Sequence, residues 1–384
     1  GEELVVLPHA QQISDDGLRA LDGLMIFNTG ANGEVGGYDL PRQARYCLGD
    51  LEVTPERFAV RWGCERTGGI AGVFDRASGE LLYSVGAAGD DIGLSPDGRF
   101  LAVQEWPGED RLGRVKVYDT HSGESVLMKG LCPWHGPTGS GTGCRDYPDM
   151  PFKAWVTALT FSPDGTRLIA GLIEPGEPGP SPLLVWDTQS GEIVYRSPEG
   201  LVAGYPHMMP DGDRILLWTQ DWEPAVLETA DWTHVNGPPV EWSIHAAMAL
   251  TPDGRHLVVN TESDAGLAVV DTATWETIRQ AGELNIDGLL AVDPSGTLIA
   301  SGRDSGIVKI YSFETLHMLQ KIPVGEPIRN LAWLSEHHVL VTPLSGPGIV
   351  VTTDVDELLE VARARVTRSF TASECAAYHI DPCP

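Results

Sequence analysis

Positive charge is scarce in this chain. Lys and Arg number 26 against 54 Asp and Glu, a formal charge of −28 over 384 residues. Proteins that grip nucleic acid or anionic membranes do so with clustered Lys and Arg, so both roles are excluded in practice. No run reaches the roughly 18 apolar residues of a membrane span, and no basic-then-apolar leader opens the chain. The chain starts at Gly1, which reads as a cut: a mature form or an excised domain. The usual catalytic signatures are missing too, with no G-x-S-x-G elbow and no H-E-x-x-H. The Gly-rich stretch 136–143 has no following Lys, which argues against a phosphate loop.

Turn formers are plentiful, with 44 Gly and 28 Pro, and they recur in register. One phrase reads Leu94-Ser95-Pro96-Asp97-Gly98, Phe161-Ser162-Pro163-Asp164-Gly165, Met209-Pro210-Asp211-Gly212, Leu250-Thr251-Pro252-Asp253-Gly254 and Val292-Asp293-Pro294-Ser295-Gly296. Degenerate copies stand at Val53-Thr54-Pro55-Glu56 and Trp333-Leu334-Ser335-Glu336. Pro presets φ and Gly accepts positive φ, so each phrase predicts a tight hairpin turn. About 20 residues later comes a strand end such as Val117-Tyr118-Asp119-Thr120, Val185-Trp186-Asp187-Thr188 or Val269-Val270-Asp271-Thr272. The anchors 75, 119, 187, 228, 271, 312 and 354 are spaced by 44, 68, 41, 43, 41 and 42. A period of about 40–45 with four short strands is a propeller blade. The reading is an all-β, seven-bladed β-propeller over 1–356 with a short C-terminal helical tail over 357–384.

These phrases resemble the bacterial WD40/YVTN-type repeat, across about residues 45–356. The resemblance implies a toroidal scaffold and, for most members, a binding role. The Gly-His pair that opens many eukaryotic blades is missing, so their buried His–Asp network is not expected. The tail, from Ala362-Arg363-Ala364-Arg365 to Asp381-Pro382-Cys383-Pro384, resembles the end of WD40-type sensor regions in large actinobacterial regulatory proteins. That likeness implies the sensory end of a longer chain.

The last blade shows three strands and then a capping box, Asp354-Val355-Asp356-Glu357. Its fourth strand is expected from the N-terminal segment, at Leu4–Leu7 or Leu24–Phe27. Six cysteines allow 15 pairings. Paired positions around the first turn sum to about 111, as do Cys47 and Cys64, which places these two opposite each other on adjacent strands. Cys132 with Cys144 brackets a loop, and Cys375 with Cys383 brackets the tail. Three such disulfides point to an extracytoplasmic address. Zinc on Cys132, His135 and Cys144 is the competing reading and lacks a fourth ligand. No cofactor or metal is expected.

The two repeated turns share one face of a propeller and look structural. The b–c and d–a connections share the other, and everything irregular lies there. Function is expected on that face. Candidate ligand-binding residues are Glu105, Trp106, Asp110, Trp134, His135, Asp221, Trp222 and His245. Aromatic faces among carboxylates suit a protein, a peptide or a small cation. Asp50, Glu52, Asp91, His207 and Asn330 fall at inner-strand positions facing a central channel. His337 and His338 fall in a turn, with a solvated role. The function expected is a non-catalytic sensory or ligand-binding propeller. The alternative is a secreted, lactonase- or lyase-like propeller enzyme using acids at the channel mouth.

Overall fold

The structure, a computed structural model, describes residues 28–29, 35–36, 48–62, 69–87, 91–105, 114–133, 152–173, 183–198, 201–219, 224–236, 247–261, 266–282, 286, 288–344, 348–354 and 357. Seven antiparallel sheets follow one another along the chain. Blade 1 comprises Leu48–Val53, Arg57–Trp62, Gly69–Asp75 and Leu81–Ala87; blade 2 comprises Ile92–Leu94, Phe100–Glu105, Arg114–Asp119 and Ser125–Leu127. Blade 3 is built on Phe152–Phe161, Arg167–Ile173, Leu184–Asp187 and Ile193–Arg196. Blade 4 holds Leu201–Met208, Arg214–Thr219, Pro224–Glu228 and His234–Asn236; blade 5 holds Met248–Leu250, His256–Thr261, Gly266–Asp271 and Thr277–Ala281. Blade 6 holds Leu289–Val292, Leu298–Gly302, Ile307–Ser312 and Met318–Pro323; blade 7 holds Ile328–Trp333, His338–Pro343 and Ile349–Thr352. Strands are lettered a to d from the axis outward.

Burial follows position in the blade. Strand b of blade 1 is buried along nearly its whole length, whereas strand d alternates and stays largely exposed. A sheet packed on both faces needs apolar side chains on both, which is why the middle strands read as continuous apolar runs. The core is accordingly divided among the seams. Ala59, Ala71 and Val73 of blade 1 pack with Leu101 and Val103 of blade 2. The same sharing recurs at blades 2–3, 3–4, 4–5, 5–6 and 6–7. It closes with Leu340 and Val350 of blade 7 against Phe58 and Val60 of blade 1. Arg76 adds a polar clasp at that closing seam, donating from Nε to the Leu334 carbonyl and from Nη1 to the Thr54 carbonyl (2.8 Å).

The two repeated phrases are bound to each other. The glycines at 98, 165, 212, 254 and 296 all adopt positive φ, between 68° and 78°. The hydroxyl of the Thr in the second phrase donates to the carbonyl of that glycine in the same blade: Thr188 to Gly165 (2.9 Å), Thr229 to Gly212 (2.8 Å), Thr272 to Gly254 (2.6 Å). Asp119, Asp187 and Asp271 accept backbone N–H groups of the turn that follows them. Phrase and counter-phrase recur together because each secures the other's turn.

Several expectations change. The register of blade 1 sums to 111 from Val53↔Phe58 to Leu51↔Val60, but a bulge beyond Leu51 makes Leu48 face Trp62. Cys47 and Cys64 lie outside the described residues, as do Cys144, Cys375 and Cys383. Cys132 stands in a short fifth strand, Leu131–Pro133, parallel to strand a of blade 3. Blade 7 has three strands among the described residues; Leu4–Leu7 and Leu24–Phe27 lie outside them. Asn28–Thr29 pairs with Val35–Gly36 as a separate hairpin. One arm of the capping box forms, the Glu357 N–H donating to Asp354 Oδ1 (3.3 Å), while the Glu357 carboxylate accepts the Thr352 hydroxyl (2.6 Å) and the Asp354 N–H donates to Thr352 Oγ1 (3.1 Å). His338 is not in a solvated turn: it opens strand b of blade 7 and contacts Ser335 (2.8 Å) and Glu357 (3.1 Å).

Candidate functional site

Of the eight ligand-binding candidates, Glu105 alone is described; Trp106, Asp110, Trp134, His135, Asp221, Trp222 and His245 lie outside the described residues. Glu105 ends strand b of blade 2. It accepts the Tyr118 hydroxyl, and its other oxygen pairs with Lys116 Nζ at 2.8 Å. Tyr83 of blade 1 lies 6.2 Å from the Tyr118 ring. Burial and the Glu105 carboxylate push the Tyr118 phenol well above its ordinary value, and Tyr83 upward too, so both stay protonated, Tyr118 as the donor to Glu105. This arrangement ties the seam between blades 1 and 2.

Strands a come together around the axis, as the repeat requires. Asp50, Glu52 and Asp91 are electrostatically coupled there. Asp50 Oδ1 accepts the Leu51 N–H (2.9 Å), and Oδ2 accepts the Ile92 N–H of blade 2 (3.3 Å). Glu52 is half-buried on the inner strand of blade 1. Burial first, then the Asp50 and Asp91 charges, hold its carboxyl well above the usual carboxylate range. His207 is on the inner strand of blade 4, where burial lowers its basicity. Asn330 belongs to blade 7, its N–H on Thr342 Oγ1 (3.1 Å). Among the described residues, no group of three His, Cys, Asp or Glu is disposed to hold a metal ion.

The cavity with a mixed lining lies elsewhere, on the repeated-turn face that the sequence reading treats as structural. It occupies the seam between blades 3 and 4, with a volume of about 350 Å³. Ile169, Val185, Met208 and Trp232 form its apolar wall; Asp164, Asp211 and Asp213 supply carboxylates. Trp232 stacks on Tyr195 at 4.3 Å, with the rings within 9° of parallel. Its backbone holds φ of 61°, rare for a bulky residue. The equivalent c–d turn position is Gly79, Gly123 and Gly191 in blades 1–3, but Trp232, Trp275 and Leu316 in blades 4–6. Strain at these three turns is offset by packing: Trp232, Trp275 and Leu316 each join a seam cluster shared with the preceding blade.

Every hydroxyl in the lining is already engaged. Ser162 Oγ donates to Asp164 Oδ1 (2.6 Å), Thr166 Oγ1 donates to the same carboxylate (2.9 Å), and Thr229 Oγ1 donates to the Gly212 carbonyl. The Ser162 hydroxyl, then the Thr166 N–H, hold the Asp164 carboxyl below its ordinary value, so it stays ionised. Arg167 is the cation of the lining, which contains no His, Cys or Lys. The arrangement offers fixed negative charge beside an aromatic wall.

The fold and these sites define an all-β, seven-bladed, WD40-like β-propeller. No family model matches the chain. Among solved structures, it is similar to the Myceliophteria thermophila Cps50 (Swd1) beta-propeller domain, at a TM-score of 0.60 and 13% identity, covering 82% of this chain and 98% of that one. It is also similar to Kuenenia stuttgartiensis hydrazine synthase, with a TM-score of 0.58, 15% identity and coverage of 82% and 97%. At such identities the likeness is one of fold. A stretch of 79 residues is 28% identical to the ribosome biogenesis protein BOP1 homolog of Anopheles gambiae; it is 20% of this chain and 9% of that protein's length.

Proposed function

We propose that the chain is a non-catalytic binding propeller that captures a protein, a peptide or a small cationic ligand. One observation carries this reading: the seam cavity between blades 3 and 4 pairs an aromatic wall with carboxylates, and its hydroxyls all donate within the protein, which leaves them to a ligand as acceptors. Such a lining attracts cations with an apolar body. The irregular connections on the other face, with Trp106, Asp110, Trp134, His135, Asp221, Trp222 and His245, are a second capture surface in this proposal. The tail's resemblance adds the cellular setting: an extracytoplasmic sensor region of a larger regulatory protein, secreted or on the outer face of the cytoplasmic membrane. The test is binding of an array of short peptides, graded in charge, to the intact chain. Retention that rises with peptide positive charge and falls with salt supports the reading. Indifference to peptide charge contradicts it.

A second reading has its own observation. Glu52, held protonated beyond the usual range beside Asp50 and Asp91, is the kind of group that serves as a general acid. It would make the chain a lactonase- or lyase-like propeller enzyme working in the channel. Turnover of a lactone or an acidic polysaccharide that disappears in Glu52→Gln would establish this reading over the first.

A further inference from the structure

The seam between blades 3 and 4 is open for a reason visible in the other seams. Strand b begins at an equivalent residue in every blade: Arg57, Phe100, Arg167, Arg214, His256, Leu298 and His338. Four of these reach forward into the next blade. Arg57 Nη1 donates to the Gly98 carbonyl (2.8 Å) and to Thr120 Oγ1 (3.0 Å) of blade 2. Phe100 lies against Gly165 of blade 3. Arg214 donates to the Thr272 carbonyl of blade 5 (2.8 Å), and His256 packs on Phe313 of blade 6 with ring centroids 5.6 Å apart.

Arg167 does otherwise. Its guanidinium turns back to Asp187 of its own blade and to the Thr166 carbonyl (3.4 Å). The acceptors that Arg57 uses in blade 2 have counterparts in blade 4: the Gly212 carbonyl and Thr229 Oγ1. Both residues line the cavity. Gly212 O already accepts the Thr229 hydroxyl, but a carbonyl has two lone pairs. In blade 2 the Gly98 carbonyl takes both Arg57 Nη1 and the Thr120 hydroxyl (3.4 Å). Asp164, Asp211 and Asp213 line the opening, with Asp211 paired to Arg214 (3.1 Å) and Arg167 held on Asp187, and Trp232 offers a ring face.

We infer that the seam between blades 3 and 4 is a receptor for a guanidinium group, the arginine side chain of a protein partner, which takes the place that Arg57 fills at the seam between blades 1 and 2. The inference rests on the binding reading above and names the ligand chemistry of that same cavity. In blade 2 one nitrogen, Arg57 Nη1, donates to both the turn carbonyl and the hydroxyl; a guanidinium keeps its other N–H donors for the carboxylates around the opening and a flat face for the Trp232 ring, whereas an ammonium is a single point charge. Free arginine carries an α-ammonium and an α-carboxylate that a chain-borne arginine lacks, and the carboxylate would meet the aspartates, so the capped residue is the closer mimic of a partner's side chain.

The test titrates the intact chain with N-acetyl-arginine amide, N-acetyl-lysine amide, N-acetyl-citrulline amide and free L-arginine, by calorimetry. The capped arginine is expected to bind at least tenfold tighter than each of the other three. Asp187→Asn keeps an oxygen for the turn N–H groups but releases Arg167, which then swings across and fills the seam, so binding falls at least tenfold. Adding Arg167→Ala to Asp187→Asn empties the seam again and restores binding; that rescue also shows the single variant was folded. Equal binding of citrulline or lysine overturns the inference, and so does an Asp187→Asn loss that Arg167→Ala does not rescue. If cationic peptides without arginine bind while the capped arginine does not, the guanidinium assignment falls and the binding reading stands.

Discussion

Two alanine substitutions separate local turn strain from docking between blades. Gly123 and Gly191 hold the same place in their c–d turns, at φ of 74° and 70°. Placing an L side chain there costs about 1–2 kcal/mol for the left-handed conformation. The lower chain entropy of unfolded Ala returns about 0.4–1 kcal/mol. Gly123 has open space around it, so Gly123→Ala should destabilise the chain by about 1 kcal/mol. Gly191 sits against blade 2. A Cβ there would lie 2.1 Å from the Leu127 carbonyl oxygen and 3.2 Å from Val126 Cγ1. The Gly191 carbonyl also accepts the Lys129 N–H at 2.8 Å, a bond that a shifted turn loses. Overpacking of this kind costs about 1–3 kcal/mol and a lost hydrogen bond about 1. Gly191→Ala should therefore cost roughly 3–5 kcal/mol. Equilibrium urea unfolding followed by tryptophan fluorescence would read both. Equal losses would refute the claim that the blade 2–3 seam depends on this close approach.

Other outcomes follow from the same structure. Arg76→Ala removes a clasp on two carbonyls at the closing seam and should cost about 2–4 kcal/mol in the same assay. Glu52 binds its proton more tightly folded than unfolded, so its contribution is present at low pH and lost as pH rises through its raised folded value. Glu52→Gln should therefore raise the melting temperature at pH 8 and leave it unchanged near pH 4. The carboxyls of Asp75, Asp119, Asp164, Asp187, Asp253 and Asp271 are held below their ordinary values, chiefly by hydroxyl and backbone N–H donors with burial opposing; their stabilisation is full above the unfolded carboxylate value and disappears as pH falls below it. Thermal melts from pH 5 to pH 2 should show that decline. The three disulfides expected from cysteine spacing in the sequence are tested by thiol titration of the denatured, unreduced chain, with none of the six cysteines reactive as the expected outcome.

The blade count was legible because one turn chemistry repeats: Pro and Asp-Gly at a fixed distance from Asp-Thr, each needed to satisfy the other's backbone. The inner-strand acids were legible for a similar reason, since counting back from a turn fixes which residues reach the axis. Bulges were not. The one in blade 1 and the register change between Val202 and His207 in blade 4 have no local signature that separates them from ordinary strand. The parallel strand around Cys132 depends on where a long connection returns, which periodicity does not encode. The seam cavity arises from a choice between two acceptors for one guanidinium: Arg57, Arg167 and Arg214 occupy equivalent positions, and Arg167 alone of the three turns inward to its own blade's Asp187. A hint was nevertheless present, for Trp232 stands where the first three blades have glycine.

The most direct measurement is a crystal structure of the chain grown with N-acetyl-arginine amide. The account places guanidinium density in the seam between blades 3 and 4, with nitrogens within hydrogen-bond distance of the Gly212 carbonyl and Thr229 Oγ1 and Arg167 still on Asp187. A vacant seam, with the ligand instead in the channel beside Glu52, would contradict it.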